Sequence, residues 1–108
     1  MIIYNVTVNI ENSVHSEWRK WINVHISEVL GTGLFLKAVF SKVLTEDAEG
    51  ATTYSVQYYA HSKSALETYQ TQYAQELQSK GVKLFGDKML SFRTALEFID
   101  EYTVNKTP

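Results

Sequence analysis

The chain has 108 residues, 44% of them hydrophobic, which suits one domain with a single core and is too short for two. Lys+Arg 10 against Asp+Glu 12 leaves a formal charge of −2 with no basic cluster, so neither nucleic acid nor an anionic membrane is an expected partner. With no cysteine, a disulfide framework, a thiol nucleophile and a thiolate metal site are all excluded.

Ile2, Tyr4, Val6, Val8 and Ile10 alternate with Ile3, Asn5, Thr7 and Asn9, the period-two pattern of a strand with one apolar and one mostly polar face. A secretory signal would instead show a basic leader and an unbroken apolar stretch, so a cytoplasmic protein is expected. Asn12 and Ser13 are placed to cap a helix whose apolar stripe is Val14, Trp18, Trp21, Ile22, His25, Ile26, Val29 and Leu30. Gly31 and Gly33 offer the left-handed backbone that ends it. Residues 35–45 read as a second strand with apolar side chains in both phases, which predicts cover on both faces. An acidic, glycine-ended connection over 46–50 closes a hairpin onto a third strand, 52–61. There Tyr54, Val56, Tyr58 and Ala60 hold one phase, and Ser55, Gln57, Tyr59 and His61 the other. Ser64 and Glu67 have capping-box spacing for a second helix running to about Lys80, with Ala65, Leu66, Tyr69, Tyr73 and Leu77 as its core stripe and Gly81 as its stop. A fourth strand over 89–99 and a polar tail over 101–108 complete the chain.

The order strand, helix, strand, strand, helix, strand is the split βαβ, or ferredoxin-like, layout. It predicts an α+β domain over residues 1–100, a four-stranded antiparallel sheet with two helices on one face. The other face then needs a cover, and the expected one is a second copy of the chain, joined through the open sheet face as a homodimer. No segment is long and apolar enough to span a bilayer.

Tyr4-Asn5-Val6-Thr7, Glu17-Trp18 with Trp21, His25-Ile26, Thr32-Gly33-Leu34-Phe35, Tyr54-Ser55-Val56-Gln57-Tyr58 and Phe92-Arg93-Thr94 together resemble a family of short bacterial proteins classed only as a domain of unknown function. Ser27 stands where that family often has proline after the His-Ile pair. The resemblance covers nearly the whole chain and implies a ferredoxin-like fold of the dimeric α/β-barrel type, with no agreed activity. That architecture is similar to the one used by cofactor-independent oxygenases and haem-degrading enzymes. The haem-degrading members use an asparagine in a place like that of Asn5, but their helix-two histidine has no counterpart over 64–80 here.

Among residues able to carry chemistry, His25 sits mid-stripe on the first helix, where burial would keep its ring neutral and available as a base or a ligand. Glu76 on the second helix is a conceivable hydrogen-bond partner. The polar phases of strands one and three place Asn5, Thr7, Gln57 and Tyr59 on the open sheet face, and Ser91, Arg93 and Glu97 of strand four are expected to join them. The predicted pocket is therefore Asn5, Thr7, His25, Gln57, Tyr59 and Arg93, for a small polar or anionic ligand anchored by the guanidinium, with Glu97 as the alternative acceptor. There is no glycine-rich phosphate loop, zinc spacing or Gly-x-Ser-x-Gly elbow, so no catalytic residue, cofactor or metal is indicated. Tyr54 and Tyr58 occupy the core phase, leaving Tyr59 alone to stack on a base, so RNA binding is not expected. The residues read as a homodimeric small-ligand-binding or interaction domain; the alternative is a cofactor-independent or haem-related monooxygenase-like enzyme.

Overall fold

A computed structural model describes residues 1–44 and 50–104. The first strand, β1 (Ile2–Glu11), runs through a 3-10 turn at Asn12–Val14 into α1 (His15–Leu30). Asn12 and Ser13 do not cap that helix. The Asn12 carboxamide oxygen accepts from the Thr52 hydroxyl at 2.9 Å, and the Ser13 hydroxyl donates to Glu11 at 2.7 Å, so both side chains are committed to the turn. At the other end the helix stops where expected, but Gly31 keeps right-handed backbone at φ −63° and only Gly33 of the pair is left-handed. The Thr32 hydroxyl donates to the Val29 carbonyl at 2.7 Å, and Gly33, at φ 79°, donates its N–H to Leu30 at 3.1 Å.

A hairpin follows, β2 (Phe35–Lys42) and β3 (Ala51–Ala60); residue 45 of the expected second strand and residues 46–49 of the expected connection lie outside the described residues. Then come α2 (Lys63–Gln72), α3 (Ala74–Phe85) and β4 (Met89–Glu97). The sheet order is β2-β3-β1-β4, antiparallel throughout, which is the ferredoxin-like arrangement. The expected second helix is two helices. Its cap is Ser62, whose hydroxyl accepts from the Ala65 N–H at 3.0 Å, not Ser64. The helix breaks at Tyr73, which has φ −124° and lies exposed instead of in the core. Just before the break, Thr68 and Thr71 return their hydroxyls to carbonyls one turn earlier, at 3.0 and 2.9 Å, an arrangement that bends helices. Gly81 does not stop the second segment; it is buried inside α3.

Alternation decides which face of the sheet is dry. Tyr4, Val8 and Ile10 of β1 and Tyr54, Val56, Tyr58 and Ala60 of β3 all pack beneath the helices, against Trp18, Ile22 and Val29 of α1 and Leu66 and Tyr69 of α2. The second strand departs from the simple pattern. A bulge between Phe35 and Lys37 inserts Leu36, so Phe35, Ala38 and Phe40 all face the helices although their sequence spacing spans both phases. The apolar run of β2 therefore does not mean cover on both faces: Leu36 is exposed at the bulge and, of its large apolar side chains, only Val39 remains on the open side.

Candidate functional site

The register divides the predicted pocket between two faces. Residues directly opposite in an antiparallel pair point to the same side. Asn5 faces Gln57, Thr7 faces Ser55 and Ile3 faces Tyr59, all on the open side as expected. Arg93, however, lies opposite Val6, and Ser91 and Glu97 lie opposite Val8 and Ile2, which puts all three on the helix side. The open-side residues of β4 are instead Leu90, Phe92, Thr94 and Leu96. The expectation that Arg93 joins Asn5 and Gln57 is thus corrected. Strand four turns its apolar phase, Leu90, Phe92 and Leu96, to the open side and its polar phase, Ser91, Arg93 and Glu97, to the helices, the reverse of β1 and β3. An Arg93–Glu97 ion pair is also absent among the described residues, since four residues along a strand separate the two by about 13 Å.

The open-face residues satisfy one another. The Ser55 hydroxyl donates to the Asn5 carboxamide oxygen at 2.8 Å, the Asn5 amide donates to the Thr7 hydroxyl at 3.3 Å, and the Asn9 amide donates to the Thr53 hydroxyl at 3.1 Å. Lys37 Nζ lies 4.7 Å from the centre of the Tyr59 ring, a cation–π contact. This is a self-bonded polar strip flanked by the apolar row of β4.

His25 and Arg93 belong to a cleft on the other side, between α1, α3 and the β1–β4 half of the sheet. Helical spacing brings Trp18, Trp21 and His25 to one face of α1. The even phase of β1 supplies Tyr4, and the edge strand β4 supplies Ser91 and Arg93. Tyr69 of α2 and Gln78 of α3 close it, around a cavity of about 30 Å³. His25 is 9% exposed and stacks on Trp21, ring centroids 4.5 Å apart and planes at 20°. The bond considered with Glu76 does not form: Glu76 is exposed, and His25 Nδ1 meets no hydrogen-bond partner among the described residues. Trp18 Nε1 is likewise buried and unpaired. Tyr69, Gln78 and Trp18 were not anticipated as site residues. The i, i+7 relation of Trp18 to His25 was the available signal for one of them, whereas Tyr69 and Gln78 read simply as core and surface positions.

One formal charge lines this cleft, the Arg93 guanidinium. No carboxylate lies within ion-pair distance of it among the described residues, where the pair formed is Lys80–Glu28 at 2.9 Å. Burial lowers the His25 pKa to about 4, with Arg93 and Lys80 adding to the shift and Glu28 opposing it, so the ring is neutral near pH 7. Burial also raises Tyr58 far above the usual phenol range and Tyr69 to about 12, and raises Tyr4 against the pull of Arg93. Three protonated phenols, with Gln78 and Arg93 reaching toward the Tyr4 hydroxyl, make the inner end of the cleft rich in hydrogen-bond donors. Among the described residues no cluster of His, Asp and Glu could hold a metal ion, and no helix is long and apolar enough to cross a membrane.

Fold and cleft together define a ferredoxin-like domain with an open sheet face and a cationic, aromatic slot beneath its helices. The model of the domain of unknown function DUF4286 matches residues 1–99, and the chain belongs to that family. Among solved structures it is similar to a dimeric ferredoxin-like protein from an uncultured marine organism, with 14% identity, a TM-score of 0.66 and coverage of 95% of this chain and 99% of that one. It is similar also to SnoaB, a cofactor-independent oxygenase from Streptomyces nogalater, at 10% identity and TM-score 0.60, covering 97% and 98% of the two chains. A de novo designed protein, Foldit4, matches at 10% identity and TM-score 0.65, over 91% of this chain and 98% of its own. At these identities the likeness is one of fold. No curated protein matches the chain.

Proposed function

We propose that the protein is a homodimeric binding domain for a small carboxylate or similarly compact anion, held in the cleft beneath the helices. The observation that carries this reading is the isolation of Arg93. Its guanidinium shares a partly enclosed, aromatic slot with protonated phenols and a neutral imidazole, and no carboxylate neutralises it among the described residues. A cation at the mouth of a cleft lined with donors favours a negatively charged guest, and a planar guanidinium fits a carboxylate at two points. On this reading Asn5, Thr7, Gln57 and Tyr59 belong to the dimer surface and not to the pocket.

The test is thermal unfolding in the presence of acetate, longer carboxylates and inorganic phosphate. A ligand at a hundred times its Kd stabilises the folded chain by roughly 3 kcal/mol. Arg93→Ala is expected to remove the carboxylate-dependent shift while leaving the unliganded midpoint almost unchanged, because the side chain is exposed at the mouth of the cleft. A shift of undiminished size in the variant would rule Arg93 out as the anchor.

A further inference from the structure

Two buried nitrogens in this cleft, Trp18 Nε1 and His25 Nδ1, have no hydrogen-bond partner among the described residues. Both residues line the same cavity. They stand seven positions apart on α1, two turns or about 10 Å along the axis, so both face the slot from the same side of the helix. Native proteins rarely leave such atoms unpaired, and a guest that supplies the missing partner recovers the desolvation cost. The slot is thin. About 30 Å³ is far below the roughly 150 Å³ of an apolar cavity that takes up benzene, so with the carboxylate held at the exposed Arg93 only a narrow aliphatic tail enters. Its walls are otherwise apolar or aromatic, with Val6, Val8, Ile22 and Met89 among them, which suits methylene groups.

We infer that the guest is a short, unbranched carboxylate with an oxygen on its tail, a hydroxy or oxo acid whose carboxylate meets Arg93 and whose far oxygen meets Trp18 Nε1–H or His25 Nδ1. This rests on the anion-binding reading and narrows it. A hydroxyl can accept from the indole and can either donate to or accept from the imidazole, so it satisfies whichever nitrogen it reaches. A tail without oxygen leaves both nitrogens buried and unpaired, and sites of that kind discriminate against the unfunctionalised analogue.

Calorimetric titration of the wild-type chain with 4-hydroxybutyrate, acetoacetate, butyrate and benzoate tests the inference. The two oxygenated acids are expected to bind about tenfold tighter than butyrate, and benzoate not to bind. In ¹H–¹⁵N spectra the indole resonance of Trp18, distinguished from the other by Trp21→Phe, or the ring nitrogens of His25, should move with 4-hydroxybutyrate and not with butyrate. Trp18→Phe together with His25→Phe should bring 4-hydroxybutyrate down to the affinity of butyrate; because these positions are buried, the wild-type comparison stands as the measurement independent of their folding. Equal affinity for butyrate and the oxygenated acids, lost in Arg93→Ala, would overturn the tail assignment and leave the anion site intact. Benzoate binding as tightly as 4-hydroxybutyrate would overturn the size argument. Failure of every carboxylate to bind would remove the anion site and this inference with it.

Discussion

Packing grips the ring of His25 while its Nδ1 has no hydrogen-bond partner among the described residues, and this has a consequence for pH. Unfolded, the imidazole titrates near 6.5; folded, burial and the Arg93 and Lys80 charges bring it to about 4 against the opposing Glu28. Above pH 6.5 both states hold a neutral ring and the difference contributes nothing. Between 6.5 and 4 the unfolded chain binds a proton that the folded chain refuses, so stability falls as the pH falls. The loss attributable to this one group between pH 7 and pH 5 is about 2 kcal/mol. His25→Gln should flatten that part of the profile, measured by urea unfolding at both pH values beside the wild type. Identical slopes would show that the folded protein lets the ring protonate freely. The same residue illustrates how far a pattern reaches: its burial follows from its place on the α1 stripe, but its lack of a partner depends on which side chains the sheet and α3 present to it.

Between elements, the α1–α3 contact depends on one missing methyl group. A Cβ on Gly81 would stand 2.7 Å from Trp21 Cη2 and 3.0 Å from Met89 Cε, so the indole lies against bare backbone. On the outer side of the same helix pair Lys80 meets Glu28 at 2.9 Å, an exposed ion pair of small weight. Helix propensity alone would make Gly81→Ala stabilising by about 1 kcal/mol. The contact reverses that sign, and a net loss of about 1–3 kcal/mol is expected from the overpacking. Combining it with Trp21→Leu should recover much of the loss, a coupling visible in a double-mutant cycle. A more stable Gly81→Ala protein would show that the helices do not approach this closely. In the sequence this glycine resembles a helix stop. Both uses exploit the absence of a side chain, and only the neighbour across the gap distinguishes them.

At the scale of the whole molecule, the open face of the sheet is the feature that asks for a partner. Phe92 is 63% exposed and Leu90 52%, and Leu96 and Val39 extend the apolar rims on either side of the self-bonded strip of Asn5, Thr7 and Ser55. Four strands at about 4.8 Å spacing and some 30 Å in length present roughly 580 Å² of sheet. Two copies face to face would bury about 1,200 Å², just above what a specific interface needs. Under the homodimer proposed above, a second copy of the chain is the occupant of this face. Phe92→Glu places a charge at the centre of an apolar row and should convert the dimer to a monomer in sedimentation velocity without altering the far-ultraviolet circular dichroism. A wild-type chain that sediments as a monomer at high concentration would remove the interface altogether.

Much of this architecture could be read along the chain because one side of β1 and β3 packs against the helices and the other carries polar side chains that bond among themselves. That asymmetry writes Tyr4, Val8, Tyr54 and Tyr58 into one phase and Asn5, Thr7, Ser55 and Gln57 into the other, and the stripe of α1 reveals His25 in the same way. Arg93 escaped this logic. With Leu90, Phe92 and Leu96 in one phase of β4 and Ser91, Arg93 and Glu97 in the other, the local pattern points the apolar row at the core, and pairing with β1, more than eighty residues away, turns it to the open side. The bulge at Leu36 and the break at Tyr73 are of the same kind, local departures that long-range packing holds in place. The cleft itself brings together side chains from three strands and three helices, and no single segment carries its outline.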